Sequence, residues 1–299
     1  MAALRSLDAA GMGFEPILVG PDGAEPWTSS ADSADESWVP HRSTLDDRKA
    51  GIIAAEAIER AVAMAMDGSA HAIVTAPIHK PSLHASGRHF PGHTEMLQAL
   101  ASAPAVGMLM AAERTRLDGP LRVLLATTHV ALADVPDLLS EDVLVTQTTL
   151  LNDALANDWS IAEPRIALCA FNPHASDDGL FGDEEARVYR PALTRLGAAG
   201  IHAEGPLPAD TVFQRAIGGA FDAVVAPYHD VGMAAFKTVC FGTGVNVTLG
   251  LPFVRTSPDH GTAFDLAGTG RADCTSMREA LELAVRLART RFDRASGRV

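Results

Sequence analysis

Three histidines in this chain stand where short apolar runs end. Leu124-Leu125-Ala126-Thr127-Thr128 runs into His129. Ala167-Leu168-Cys169-Ala170-Phe171-Asn172-Pro173 runs into His174, and Ala223-Val224-Val225-Ala226-Pro227-Tyr228 into His229, with Asp230 next. If these runs are strands of one open α/β sheet, their carboxyl ends lie together, at the edge where such sheets bind ligands. Neutral imidazoles converging from separate strands are good ligands for a divalent cation, and three of them leave positions open for a substrate. Each one alone reads more simply as a hydrogen-bonded loop histidine, and their wide spacing forms no local metal motif.

Three further constellations carry chemistry. Thr75-Ala76-Pro77-Ile78-His79-Lys80 precedes Gly92-His93-Thr94-Glu95. A Gly-His-Thr turn entering a helix offers backbone N–H groups, a hydroxyl and a positive dipole end, which suit a phosphate or a carboxylate. The plainer alternative is a helix capped by Thr94. Lys237, Asn246 and Arg255 form the second set. Arg255 follows the apolar stretch Gly250-Leu251-Pro252-Phe253-Val254, where an unpaired guanidinium is expensive, so it must meet an anion. A ligand and a structural carboxylate such as Asp259 both satisfy that demand. The third is Asp259-His260-Gly261-Thr262-Ala263-Phe264-Asp265-Leu266-Ala267-Gly268. Gly261 there permits close backbone approach and the following turn can present N–H groups, or the segment is a helix start and nothing more.

The elements that must position these residues follow from periodicity. Strands are expected at Pro16–Val19, Ala72–Thr75, Val106–Met110, Val123–Ala126, Ile166–Phe171, Ala223–Ala226 and Val245–Leu249. Helices are expected near Ala50–Met66, Glu141–Ala156, Glu184–Leu196 and Ser276–Phe292, with Ser140 as an N-cap. Strands interleaved with helices of this length imply an α/β fold with a mainly parallel sheet. Pro21–Ser43, rich in Ser, Asp, Gly and Pro, reads as a loop. The chain opens on a helical stretch, Ala2–Ala9, followed by a strand, as though a strand before it were missing.

Composition narrows the function classes. A chain of 299 residues, 47% apolar and 20% charged, buries a substantial core. Its net charge of -13 argues against a nucleic-acid partner, because phosphate backbones demand a basic face. Cys169, Cys240 and Cys274 are too few and too scattered for a disulfide framework or a Cys-based zinc site. No run approaches the ~18 apolar residues of a membrane span. The expectation is a soluble protein of a reducing compartment, the cytoplasm.

The ordered blocks, taken together, resemble one family. They are Thr75-Ala-Pro-Ile-His-Lys80, Gly92-His-Thr-Glu95, Thr127-Thr-His129, Asn172-Pro-His174, Gly205-Pro-Leu-Pro-Ala-Asp210, Tyr228-His-Asp230, the run Gly244–Thr256 and Asp259-His-Gly-Thr262. From about Ile73 to Asp273 the chain is similar to the 4-hydroxythreonine-4-phosphate dehydrogenases of pyridoxal phosphate biosynthesis. The resemblance implies the two-domain architecture of isocitrate and isopropylmalate dehydrogenases. It places a nucleotide-side domain at residues 1–100 and 240–299 and a metal and dimerisation domain at 101–239. It implies NAD (with NADP as the variant), one divalent ion (zinc, magnesium or cobalt) and a homodimer. His129, His174 and His229 would be metal ligands contributed across the dimer interface. His93, Thr94, Lys237, Asn246 and Arg255 would line the substrate site, Lys237 and Asp210 would be catalytic, and His260, Gly261 and Thr262 would belong to the nucleotide loop. Two departures stand out. Nothing here matches the strand and Gly-Asp-Pro-x-Gly-Ile-Gly-Pro-Glu loop with which members usually begin, so the place beside Pro16–Val19 in the sheet is expected to be empty or filled by something else. Asn172-Pro-His174 continues as Ala-Ser-Asp-Asp-Gly where the vitamin-pathway enzymes usually have Ala-Gly-Glu-x-Gly, which points to tuning for a related substrate.

The activity so implied is oxidation of the secondary hydroxyl of 4-phosphooxy-threonine (4-hydroxythreonine 4-phosphate), with decarboxylation to an amino-ketone phosphate. Lys237 is the acid-base group or a charge clamp. Rival readings are a phosphorylated sugar acid such as phosphothreonate as the substrate, metal-assisted hydrolysis or aldol cleavage without a nicotinamide, and a shortened ligand-binding paralogue without catalysis.

Overall fold

A computed structural model describes residues 1–20, 23–27 and 46–297. Along the chain run α1 (Ala2–Ala9), β1 (Ile17–Gly20), β2 (Gly23–Pro26), α2 (Asp47–Met66), β3 (Ala72–Val74), α3 (Lys80–Ala85), α4 (His93–Leu100), β4 (Gly107–Ala112) and β5 (Leu121–Leu125). There follow α5 (Val135–Leu138), α6 (Glu141–Asn157), β6 (Ile166–Cys169), α7 (Arg190–Ala198), β7 (Ala203–Leu207), α8 (Ala209–Ile217), β8 (Ala223–Ala226), α9 (His229–Cys240), β9 (Val245–Leu249), β10 (Val254–Pro258) and α10 (Thr275–Ala295). The architecture is α/β, as its patterning predicts. Two compact units divide it: Met1–Pro104 with Leu251–Ala288, and Ala105–Gly250 with Arg289–Val299.

In the first unit, α2 starts at Asp46, whose carboxylate accepts from the Lys49 N–H at 2.7 Å. Its buried face is Gly51, Ala55, Ile58 and Val62, a helical stripe. Gly51 lets α2 lie directly on α3: a Cβ there would sit 1.8 Å from the Ser82 carbonyl oxygen. β3 pairs with β10 in parallel, setting Arg255 opposite Ile73. The buried Thr256 hydroxyl donates to the Ala280 carbonyl of α10, tying that helix to the strand.

Strand β1 exists where expected but belongs to no parallel sheet. It pairs antiparallel with β2, from Ile17↔Pro26 to Gly20↔Gly23. A two-residue link closes this hairpin at far lower entropic cost than reaching a distant strand. The segment read as the loop Pro21–Ser43 therefore contains a strand, and its remainder, apart from Trp27, lies outside the described residues.

The second unit is built on six strands ordered β9-β4-β5-β8-β6-β7. β4 runs antiparallel to both β9 and β5, while β5, β8, β6 and β7 run parallel. Strands β5, β6 and β8 are buried on both faces, which explains the unbroken apolar runs of β6 and β8; in β5 the buried Arg122 is paired with Glu113. Val123, Leu125, Ala167, Val224 and Ala226 pack with Val212, Phe213, Met233 and Phe236 of α8 and α9 into one core. Helix α6 begins at Ser140, whose hydroxyl accepts from the Val143 N–H at 3.2 Å, and its Asp158 end is clamped by both arms of Arg291. The sequence reading missed β2, β7 and β10 among the strands, and α3, α5, α8 and α9 among the helices; α4 starts at the Gly92-His93-Thr94 turn, where a helix was expected.

Candidate active site

Two of the three strand-end histidines meet. Beyond β5 and β8 the chain stays paired: Ala126 N–H donates to the Ala226 carbonyl, and Thr127 donates to the Pro227 carbonyl through its N–H at 3.2 Å and its hydroxyl at 2.8 Å. These bonds carry the register of the parallel pair past the sheet edge, so the following residues emerge side by side. The His129 and His229 rings lie 5.4 Å apart between centroids, inclined by 43°. Gly232 seats helix α9 on the strands, since a Cβ there would be 2.6 Å from a Leu125 methyl and 2.9 Å from Ala226 Cβ. His229 Nδ1 lies 2.8 Å from Asp230 Oδ1. With the proton on Nδ1, donated to that carboxylate, Nε2 keeps a lone pair, the second-shell arrangement common to metal-bound histidines.

His174 forms no metal-binding group with this pair. It opens a run of five non-glycine residues with positive φ, His174 (53°), Ala175 (56°), Ser176 (67°), Asp177 (46°) and Asp178 (54°), which Gly179 (95°) continues, and it is exposed. A left-handed turn of non-glycine residues costs roughly 1 kcal/mol or more per residue, so its surroundings must enforce it. Among the described residues no three His, Cys, Asp or Glu side chains form a metal-binding group. The donor chemistry of His129 and His229 fits a divalent ion, and one chain brings two imidazoles of the expected three together.

Lys237 lies two turns beyond His229 on α9 and is half-buried. Asn246, on β9 opposite Met110, has a buried Oδ1 without a hydrogen-bond partner among the described residues. A buried amide oxygen unsatisfied by the described residues is a seat for a further donor. Asp210 is exposed in the first turn of α8.

In the first unit, Arg255 is 3% exposed and donates to Thr75 Oγ1 at 2.6 Å. Burial pushes its guanidinium pKa down to about 10, so it stays charged at neutral pH. His93, the first residue of α4, is largely buried; that burial, and then the Arg255 charge, push its pKa down to about 3. It is therefore a neutral imidazole. The cap of α4 is Gly92, with no side-chain capping bond, so Thr94 is not the cap. This leaves the Thr94 hydroxyl and the first N–H groups of the helix available to an anion.

The His260–Gly268 segment is an exposed loop in which His260 Nδ1 meets the Gly261 carbonyl at 2.9 Å. A Cβ at Gly261 would meet nothing within 4 Å and its φ is not left-handed; that conformation falls on Ala263 (φ 44°). Close backbone approach within the chain is thus not the reason for this glycine. Phe264, in the same loop, stands edge-on to His79 at 5.1 Å.

Sequence reasoning missed two networks. His79 Nδ1 lies 2.7 Å from Ser82 Oγ, which donates to Asp47 Oδ1 at 3.1 Å. Glu185, 3% exposed, accepts from the N–H groups of Phe171 and Asn172 at 3.0 and 2.7 Å. Neither has a local motif, and the acidic stretch Asp183-Glu184-Glu185 gives no sign that one of its carboxylates is buried.

Comparison with known proteins agrees with this fold. Residues 30–284 match the family model of the pyridoxal phosphate biosynthetic protein PdxA. A 4-hydroxythreonine-4-phosphate dehydrogenase of Geobacter metallireducens is 44% identical over 272 residues, covering 89% of this chain and 78% of that protein. A D-threonate 4-phosphate dehydrogenase of Cupriavidus necator is 48% identical over 244 residues, covering 81% and 71%. The crystal structure of a 4-hydroxythreonine-4-phosphate dehydrogenase from Klebsiella pneumoniae superposes with a TM-score of 0.74 at 42% identity, covering 81% of this chain and 72% of the other. Fold and relatives define a class, the dehydrogenases that oxidise a CH–OH group. Within it, the chain belongs to the PdxA family.

Proposed function

We propose that this chain oxidises the secondary hydroxyl of 4-phosphooxy-threonine with NAD, the resulting 3-keto acid then losing carbon dioxide to give an amino-ketone phosphate. The observation that carries this reading is the buried, charged Arg255 beside a neutral His93 at the start of α4. A guanidinium with a neutral imidazole beside it suits the anionic groups of a phosphorylated hydroxy acid.

His129 and His229, with His174, would hold a divalent ion, and the loop His260-Gly261-Thr262 would hold the nicotinamide nucleotide. When bound, these groups supply polarisation of the hydroxyl and a hydride acceptor. The remaining work falls to side chains. Arg255, Thr94 and the α4 N–H groups hold an anionic end of the substrate, and neutral His93 adds a hydrogen bond without repelling Arg255. Asn246 Oδ1 accepts from a substrate N–H or O–H. Lys237 and Asp210 move the protons: one leaves the hydroxyl on oxidation and one returns to carbon after decarboxylation. The exposure of His174 supports a homodimer in which a second copy completes the metal set. No helix among the described residues is long and apolar enough to cross a membrane, and the cysteines are unbridged, which supports the cytoplasm as its compartment.

One observation favours a second substrate. The relative named for D-threonate 4-phosphate matches as closely as those named for 4-hydroxythreonine 4-phosphate. The two substrates differ by an ammonium or a hydroxyl at C2. Purified protein assayed for NADH formation with each, under NAD or NADP and with zinc, magnesium or cobalt, ranks them by kcat/KM. Absence of NADH with both substrates under every metal would sink the proposal and revive hydrolysis or ligand binding.

A further inference from the structure

We propose that Glu185 is a positioning residue, clamping the backbone that leads into the left-handed turn of His174 and so fixing where that imidazole meets a divalent cation. The inference rests on reading His174 as a ligand. After β6 the chain is gripped in succession. The buried Tyr189 hydroxyl donates to the Cys169 carbonyl at 2.8 Å. Glu185 Oε1 then accepts from the N–H groups of Phe171 and Asn172, and its Oε2 accepts from Asn172 Nδ2 at 2.9 Å. Glu184 takes the same amide at 2.7 Å. Of these three residues, Glu185 and Tyr189 lie on the π-helical turn Glu185–Tyr189, a widened geometry frequent at functional sites, and Glu184 directly precedes it.

Only Pro173 separates the clamped Asn172 from His174, and its ring fixes φ. The histidine backbone therefore follows the clamp with few free torsions. The turn beyond is closed on itself: Ala175 N–H donates to the Asn172 carbonyl and Phe181 N–H to that of Ser176. A buried carboxylate that accepts three N–H bonds from two consecutive residues is built to hold those residues in one place. Outer partners of this kind change metal affinity by about tenfold to a hundredfold when removed.

The test titrates the full chain with Co2+, followed by visible absorption, alongside hydrogen exchange of the Phe171 and Asn172 amides. Glu185→Gln places an NH2 against Asn172 Nδ2. It is expected to lower Co2+ affinity at least about tenfold and to speed exchange at both amides. His174→Ala should lower the affinity at least as much. Wild-type affinity in Glu185→Gln, with affinity lost in His174→Ala, overturns the positioning role and leaves the metal reading standing. Wild-type affinity in His174→Ala removes the ligand assignment and this inference with it. Should Glu185→Gln not fold, Asn172→Ala cuts only the amide links; a fall in Co2+ affinity supports the clamp and an unchanged value overturns it.

Discussion

Replacing His93 with glutamine should flatten part of the chain's acid sensitivity. In the folded protein His93 titrates at about 3, held down by burial first and by the Arg255 charge second, against 6.5 in the unfolded chain. The sign follows from proton counting. Between these values the unfolded state binds a proton and the folded state does not, so stability rises with pH. The contribution is in full force above pH 6.5 and is lost progressively as pH falls toward about 3. Integrating a single site from pH 6.5 down to about pH 4.5 gives a loss of about 2 kcal/mol, over a range in which the folded-state imidazole stays neutral. Equilibrium urea unfolding of wild type and His93→Gln at half-unit pH steps across this window measures it. Other histidines act in both proteins, so the difference between the two curves isolates His93. Parallel curves would show that His93 protonates in the folded state near its ordinary value, and the neutral-imidazole argument would fall with them.

Further outcomes follow from other contacts. Arg255→Lys should raise KM for the phosphorylated substrate about tenfold or more with a smaller change in kcat, because the ammonium loses the forked geometry; an unchanged KM reassigns Arg255 to structure. Gly51→Ala places a methyl 1.8 Å from the Ser82 carbonyl oxygen and should lower the unfolding midpoint in calorimetry by several degrees. Arg291→Ala strips a bidentate partner from Asp158, which is 4% exposed, and should destabilise by about 1–3 kcal/mol in denaturant unfolding.

The parts of the fold legible in the sequence are those whose pattern has one cause. Ala223–Ala226 and Val245–Leu249 are strands within the limits expected, the first because a strand buried on both faces demands unbroken apolar residues, the second because Val245, Val247 and Leu249 alternate with Asn246 and Thr248. β10 was missed for the opposite reason: Arg255, Thr256 and Ser257 are buried, yet their polarity is answered by Thr75, the Ala280 carbonyl and other partners far along the chain. In β7 the residues Gly205 and Pro206 mimic a turn. Helix α9 begins inside the motif Tyr228-His-Asp, where the chemistry of the first residues hid the helix behind them, whereas the helix entered by Gly92-His-Thr was legible. The meeting of His129 and His229 was readable because adjacent strand ends impose it. The left-handed turn at His174 was not, since Ala-Ser-Asp-Asp contains no glycine and its conformation is imposed by Glu185 and its neighbours.

The reversed direction of β4 also bears on how the second unit folds. Pairing β4 with β5 needs only a short connection: Ala112 and Leu121, nine positions apart, face each other. Joining β5 to β8 brings together Val123 and Val224, about a hundred positions apart. Loop-closure entropy grows with the logarithm of that separation, so the distant pairing starts about 2 kcal/mol behind the local one. The β4–β5 hairpin should therefore be the early event, with the parallel strands and their histidine-bearing ends added to a template already formed. Mutational kinetics would show this as high φ-values at Leu109 and Val123 and low ones at Ala167 and Val224. The contact between His129 and His229 would then form only once β8 joins β5.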